Sequence, residues 1–322
     1  MQYVNLPNTS VKVSRMCLGT MMFGAQTNES DSFSILDSSL DQGINFIDTA
    51  ACYVKGEGEK IIGKWLKERR EKIILATKIG IPVTDEMNDR GLSRKNIIAT
   101  TDACLKRLNT DYVDLMYLHT PDYGTAIEET LDTFSTLIRD GKIRYLGVSN
   151  YAAWQIADIM AICDKWGYIK PIISQNPYSL IFRDVERELL PCLKAHKIGM
   201  SVYNPIAGGL LSGKYKTREL QENTRFANNK IYHDRYWTDK NFTAVEKLSA
   251  IAGKYGIPLL NLALRWCIYQ SGVSMVVMGV SKLEQLKQNI QIFEESALDE
   301  EILKACDQVW EQMEDKHFFY NR

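Results

Sequence analysis

Residues 113–150 read VDLMYLHTPDYGTAIEETLDTFSTLIRDGKIRYLGVSN. The run opens with Val113-Asp114-Leu115-Met116-Tyr117-Leu118, a short apolar stretch that stops at His119. Leu131, Phe134, Leu137 and Ile138 then recur at helical spacing. Arg139-Asp140-Gly141 ends that period with the glycine a helix uses for its left-handed exit. Arg144-Tyr145-Leu146-Gly147-Val148 is a second apolar run and stops at Ser149-Asn150. Strand, helix and strand in this order make a βαβ unit, so the two strands lie parallel.

The same unit repeats in both directions. Further short apolar runs are Met16-Cys17-Leu18, Ile44-Asn45-Phe46-Ile47, Ile73-Ile74-Leu75-Ala76, Ile172-Ile173-Ser174, Ile198-Gly199-Met200-Ser201-Val202 and Met275-Val276-Val277-Met278. Runs of this length, bounded by turn residues, read as buried parallel strands. Phe33, Leu36 and Leu40 give another helical period, stopped by Asp41-Gln42-Gly43, and Ile97-Ile98 with Leu105 and Leu108 give a third. Eight strands alternating with helices predict a (β/α)8 barrel, one domain over 1–322. Residues 1–13 read as a β-hairpin over one barrel end, and 299–313 as one extra helix. Between strand ends near 204 and 279 lies an oversized gap. It is expected to hold an inserted loop, about 213–240, with Arg225, Tyr232, His233, Tyr236 and Trp237.

Composition narrows the function classes. The chain has 322 residues, with 39 Lys plus Arg against 40 Asp plus Glu. That near-neutral balance excludes a strongly basic nucleic-acid binder. No stretch reaches the ~18 unbroken apolar residues of a membrane span, and the start shows no secretory signal pattern. The seven cysteines are odd in number and form no CxxC pair, which argues against a disulfide framework or a zinc site and for a cytoplasmic protein. Cys17, Cys104 and Cys163 read as small core residues. His196, His233 and His317 have no metal-ligand spacing.

In barrel enzymes the site lies at the C-terminal strand ends. Here those ends carry Asp48, Lys78, His119, Ser149-Asn150, Gln175-Asn176 and Tyr203-Asn204, and Tyr53 follows Asp48 closely enough to fold back over it. One polar strand end is only the start of a loop. An acid, a lysine and a histidine on adjacent strands converge on one mouth. A phenol of ordinary pKa ~10 is a poor acid at neutral pH, and a nearby ammonium is expected to lower it. Asp48 would keep Lys78 charged, and His119 would hydrogen-bond a substrate oxygen. Such a set suits carbonyl reduction, where a proton must reach oxygen as hydride reaches carbon.

Taken together, Asp48-Thr49-Ala50 with Tyr53, Ala76-Thr77-Lys78, Tyr117-Leu118-His119 with Asp122, Leu18-Gly19-Thr20, and the run Gly141 to Asn150 resemble the aldo-keto reductase family, in its bacterial and channel β-subunit-like branch. The resemblance runs from the first strand to Asn289. It implies a TIM barrel that binds NADPH or NADP+ without a Rossmann domain and reduces a small-molecule aldehyde or ketone. It implies a tetrad of Asp48, Tyr53, Lys78 and His119, with Tyr53 as general acid. Ser149, Asn150 and Gln175 would hold the nicotinamide carboxamide, and Tyr203 would stack on the ring. Gly19, Thr20 and Met21, together with Asp48, would contact the cofactor from the first strands, and Leu210, Ser212 and Lys214 would fold over the pyrophosphate. Gly279, Ser281, Gln285 and Asn289 would form the C-terminal cofactor segment. Many members carry a basic residue there to clamp the 2′-phosphate. Channel β-subunit relatives resemble the present variant, with serine and glutamine in that role, and Arg225 and Lys214 can supply positive charge.

Two segments invite other readings. Gly208 to Tyr215 nearly matches a phosphate-binding P-loop, but tyrosine stands where that motif needs a serine or threonine hydroxyl. Lys55 to Gly63 is glycine-rich without dinucleotide-binding spacing and reads as the opening of a helix. Two other functions stay open at this stage. One is a Schiff-base lyase using Lys78 as nucleophile. The other is a redox-sensing interaction subunit with slow reductase activity. Met22, Phe23 and Tyr123 are candidate pocket walls, and an oligomer is compatible with the sequence.

Overall fold

The computed structural model describes residues 1–215, 217–220, 222 and 224–313. Strands β1 (Tyr3–Asn5) and β2 (Lys12–Ser14) form the antiparallel N-terminal hairpin. Eight parallel strands follow: β3 (Met16–Gly19), β4 (Phe46–Asp48), β5 (Ile74–Ile79), β6 (Val113–Leu118), β7 (Ile143–Ser149), β8 (Ile173–Pro177), β9 (Gly199–Tyr203) and β10 (Val273–Gly279). They close in sequence order, with β10 paired to β3, into a (β/α)8 barrel. All eight apolar runs become strands. β4 starts two residues after Ile44 because the Asn45 side chain serves the hairpin, accepting from Ser14 N (2.8 Å) and donating to Lys12 O (3.0 Å).

The helix signals hold at both ends. Asn28 caps the helix Glu29–Asp41 by accepting from Asp31 N, and Ser93 caps Arg94–Leu108 by accepting from Asn96 N. Gly43 and Gly141 exit their helices at φ 82° and 78°, where a side chain would be strained.

The chain divides into two compact units. The first holds residues 1–176, 185–203 and 272–291, hence the hairpin and nearly all of the barrel. Its core includes Leu6 and Val13 from the hairpin side and Cys17, Phe46, Ala76, Leu115, Tyr117, Ile173, Met275 and Val277 from the strands. Gly147 is matched to Tyr117, since a Cβ there would sit 2.5 Å from Tyr117 Cδ1.

The second unit holds residues 177–184 and the described residues of 204–271 and 292–313. It contains the extra C-terminal helix, Glu300–Met313. The stretch read as an inserted loop carries two short helices, Arg225–Asn228 and Lys230–Tyr236, capped by Thr224 and Asn229 side chains. Tyr215, Phe226, Trp237 and Phe242 pack there ring on ring, with centroids about 5 Å apart. Among the described residues no helix is long and apolar enough to cross a membrane.

Candidate active site

Asp48 ends β4 and Lys78 lies in β5, and both are almost wholly buried. His119 follows β6 directly, its N–H bonded to Ile79 O at 2.9 Å. The loop after β4 is stitched to β5 by Thr49 N to Ala76 O (2.9 Å) and Ala51 N to Lys78 O (3.0 Å). Those bonds bring Tyr53 back over Lys78. Immediately after Tyr53 the backbone turns left-handed at Val54 (φ 46°), Lys55 (φ 53°) and Gly56 (φ 87°). A β-branched residue at positive φ is strained, on the order of 1–3 kcal/mol. Packing holds the turn in place, because a Cβ on Gly56 would lie 2.8 Å from Arg107.

The Lys78 ammonium donates to Asp48 Oδ1, to Thr49 O (2.8 Å) and to the Tyr53 hydroxyl oxygen (3.3 Å). Asp48 Oδ2 accepts from Gln175 Nε2 at 2.9 Å. The Tyr53 and His119 rings meet edge to face at 6.0 Å. Cys52 Sγ lies 3.7 Å from His119 Nδ1. Asp48, Tyr53, Lys78 and His119 are thus one cluster.

Burial dominates the protonation of this cluster. It pushes the Tyr53 phenol up to about 12, with Lys78 pulling down and Asp48 adding to the rise. The expectation that Lys78 lowers the phenol pKa therefore gives only the smaller effect. The ammonium does lower it, but the phenol's loss of water in its half-buried position is the larger effect. Burial alone would pull Lys78 down, yet the Asp48 carboxylate, then Tyr53, hold it above the usual lysine value. His119 falls to about 3, first by burial and then by the Lys78 charge. At neutral pH the cluster holds a neutral phenol, a neutral imidazole and one ammonium.

Beside it, Asn150 sits left-handed at φ 64° and ties three strand ends together. Its amide donates to His119 O (2.9 Å) and Ser149 Oγ (3.0 Å), and Tyr203 OH donates to its Oδ1 (2.6 Å). Thr20 Oγ1 donates to Asp48 O at 3.0 Å. Gly19 and Gly279 pair in register at the ends of β3 and β10. A Cβ on Gly279 would meet nothing nearer than Gly19 O at 3.9 Å, so bare backbone faces open space there. Gln285 Oε1 accepts from Ser281 N (2.9 Å) and Ser281 Oγ (3.3 Å), and Asn289 is buried with no side-chain partner among the described residues. An open backbone edge and amide-rich strand ends fit a nicotinamide dinucleotide, which needs close backbone approach and polar contacts along its length. Met21 is partly exposed, while Met22 and Phe23 are buried, so Phe23 is a core residue and not a pocket wall; Tyr123 is 84% exposed.

Leu210, Ser212, Lys214 and Arg225 belong to the second unit. There Leu210 is buried, Ser212 Oγ donates to Gly209 O (2.6 Å), Lys214 Nζ lies 4.7 Å from the Tyr215 ring and the Arg225 guanidinium lies 5.0 Å from the Tyr232 ring.

Sequence reasoning missed Glu59. Its carboxylate is wholly buried, accepting from Thr77 Oγ1 (2.6 Å) and Arg107 Nε (2.7 Å), and so it braces the residue next to Lys78. The signal was faint: an acid on the glycine-rich run that opens the helix Glu57–Leu66.

A closed (β/α)8 barrel with a buried ionic and phenolic cluster at its C-terminal strand ends is a barrel enzyme by architecture. The comparisons narrow that class. Residues 15–311 match the model of the aldo/keto reductase family, and the chain belongs to that family. It is similar to a probable voltage-gated potassium channel subunit beta of Arabidopsis thaliana, 38% identical with 90% of each chain covered. It is also similar to an uncharacterized oxidoreductase, YrpG, of Bacillus subtilis, 37% identical over 96% of each. A third relative is aflatoxin B1 aldehyde reductase member 2 of Rattus norvegicus, 36% identical over 91% of this chain and 83% of the relative. Membership makes the protein an oxidoreductase of the carbonyl-reducing, nicotinamide-using kind.

Proposed function

We propose that this chain is an NADPH-dependent reductase of aldehydes or ketones with Tyr53 as general acid. The observation that carries the reading is the buried Lys78 ammonium, bonded at once to Asp48 and to the Tyr53 hydroxyl. A bound reduced nicotinamide supplies the hydride to the carbonyl carbon. Tyr53 gives its proton to the carbonyl oxygen. Lys78 donates to the phenol oxygen, so it stabilises the phenolate left behind. Asp48 keeps Lys78 charged and fixed. Neutral His119 offers a ring N–H to the same oxygen. Ser149, Asn150 and Gln175 would hold the carboxamide and Tyr203 the ring face, while Gly19, Gly279, Ser281, Gln285 and Asn289 would line the rest of the cofactor. Ser281 and Gln285, now bonded to each other, would hold the 2′-phosphate through hydrogen bonds. A small carbonyl compound as substrate is in keeping with the aldehyde reductase among the relatives. Seven free cysteines favour a cytoplasmic location.

The lyase reading is disfavoured by the same geometry. A Schiff-base lysine needs a depressed pKa, and Asp48 raises that of Lys78. The likeness to a probable channel subunit carries a second reading, an interaction subunit with slow turnover. Steady-state assays with an aldehyde and ketone panel, read by NADPH absorbance, separate the two: rapid multiple turnover supports the enzyme. Tyr53→Phe is expected to lose at least ~100-fold in turnover. It should bind NADPH normally, and at least ~10-fold more tightly than NADH, about 1.4 kcal/mol. Near wild-type reduction by Tyr53→Phe with NADPH bound would overturn the acid assignment.

A further inference from the structure

We propose that Cys52 is a positioning residue for carbonyl reduction: its thiol donates to His119 Nδ1 and so keeps the ring proton on Nε2, the nitrogen left for the substrate oxygen. This rests on the reductase reading above. The contact is 3.7 Å from Sγ to Nδ1, within reach of an S–H donor. A neutral imidazole has one donor and one acceptor nitrogen, and the partner of one fixes the role of the other. Both groups are neutral here. His119 is held neutral by burial and by Lys78, and burial keeps the Cys52 thiol protonated against the pull of Lys78. Two neutral partners leave S–H to nitrogen or N–H to sulfur. Imidazole nitrogen is a far better acceptor than sulfur, which accepts only weakly, so the first direction wins. Among the described residues nothing hydrogen-bonds Nε2, whereas Asn150 Nδ2 secures the His119 carbonyl at 2.9 Å. The Tyr53 ring edge confines the imidazole from one side.

The backbone explains why a neighbour of Tyr53 has this role. Ala51 N bonds Lys78 O, and Lys55 N bonds Cys52 O at 3.3 Å. One pinned turn therefore carries both Cys52 and Tyr53. It sets the phenol proton through its own side chain and the imidazole proton through the thiol. Two donors to one carbonyl oxygen are thereby registered by a single loop.

Cys52→Val tests this, because valine keeps much of the volume and cannot donate. Histidine is labelled with ¹⁵N in the full chain, and long-range ¹⁵N–¹H correlations report which nitrogen of His119 is protonated. His119→Ala identifies its signal among the four histidines. Wild type is expected to show a single Nε2–H tautomer, and Cys52→Val a mixture. Loss of one weak hydrogen bond should lower kcat about 3- to 10-fold with NADPH affinity unchanged. A wild-type Nδ1–H tautomer would overturn the proposal. So would a Cys52→Val protein with unchanged tautomer, whether its stability falls or not. Tyr53→Phe is run in parallel. If it abolishes reduction while Cys52→Val changes nothing, only the positioning role fails; if it reduces normally, the acid assignment beneath it fails.

Discussion

Replacing Lys78 by methionine keeps the length of the side chain and removes its charge. The ammonium it deletes is wholly buried and makes three hydrogen bonds, to Asp48, Thr49 O and Tyr53. Asp48 would keep Gln175 Nε2 on Oδ2 and have no cation on Oδ1. Breaking a buried pair from one side typically costs ~3–5 kcal/mol, because the remaining charge stays desolvated. Removing the Asp48 charge as well should recover most of that, since neutral partners carry little such penalty. The double variant Asp48→Asn, Lys78→Met would retain mainly the lost donor to Thr49 O, about 1 kcal/mol. Urea unfolding at neutral pH measures all three proteins. Activity is expected to behave differently. Without Lys78 nothing offsets the burial that raises the Tyr53 pKa, so both variants should lose at least ~100-fold in reduction. Stability would return in the double variant while catalysis would not. A single variant that costs under ~1 kcal/mol, or a double variant no more stable than the single, would refute the buried-pair argument.

Reduction should show no inflection from Tyr53 or His119 between about pH 5 and pH 9, because the phenol sits at about 12 and the imidazole at about 3; a pH–rate profile with a step near pH 6–7 that vanishes in His119→Ala would contradict this. Tyr53 and Lys78 both have folded pKa values above their ordinary 10.0 and 10.5, so the stability they add is present below those values and is lost as pH rises through the raised ones; unfolding midpoints should fall from about pH 10 upward, and less so in Tyr53→Phe. Gly147→Ala would put a Cβ 2.5–2.6 Å from the Tyr117 ring and should cost about 1–3 kcal/mol, and Gly147→Ala with Tyr117→Leu should recover part of it by chemical denaturation.

The barrel was legible because parallel strands are buried on both faces and read as unbroken apolar runs. The cluster was legible because an acid, a lysine and a histidine at successive strand ends have no reason to be there in a core. What stayed hidden depends on depth and on distant pairing. Glu59 meets Thr77 and Arg107 across 18 and 48 residues, and nothing local marks it as buried. Cys52 meets His119 across 67 residues. The left-handed turn at Val54 and Lys55 runs against residue preference, since neither is a glycine or an asparagine. The direction of the Tyr53 shift needed the extent of its burial, which a sequence does not carry. Phe23 was misplaced for the same reason.

That shift bears on the chemistry. A phenol at about 12 is a weak acid in water, and the reading of Tyr53 as a proton donor has to survive it. Hydride arrival turns a carbonyl oxygen into an alkoxide, a much stronger base than a phenolate. Transfer from Tyr53 to that oxygen is then still downhill. A lower phenol pKa would add driving force and also leave part of the enzyme ionised and unable to donate. At about 12 the phenol is ionised in only ~10⁻⁵ of molecules at neutral pH. Lys78 acts late in this account, because its charge interacts with the phenolate that forms and only weakly with the neutral phenol that precedes it. Burial keeps the proton on until hydride arrives, and the ammonium compensates the charge that its departure leaves. In the oxidative direction the same arrangement requires the phenolate first, so alcohol oxidation should rise close to tenfold per pH unit in alkaline buffer while reduction stays flat. The net reaction consumes a proton, so the ratio of the two directions shifts about tenfold per pH unit whatever the acid, and what counts is which direction carries the shift. Reduction that falls close to tenfold per pH unit between about pH 6 and pH 9, with NADPH bound, would remove Tyr53 from the proton-transfer step.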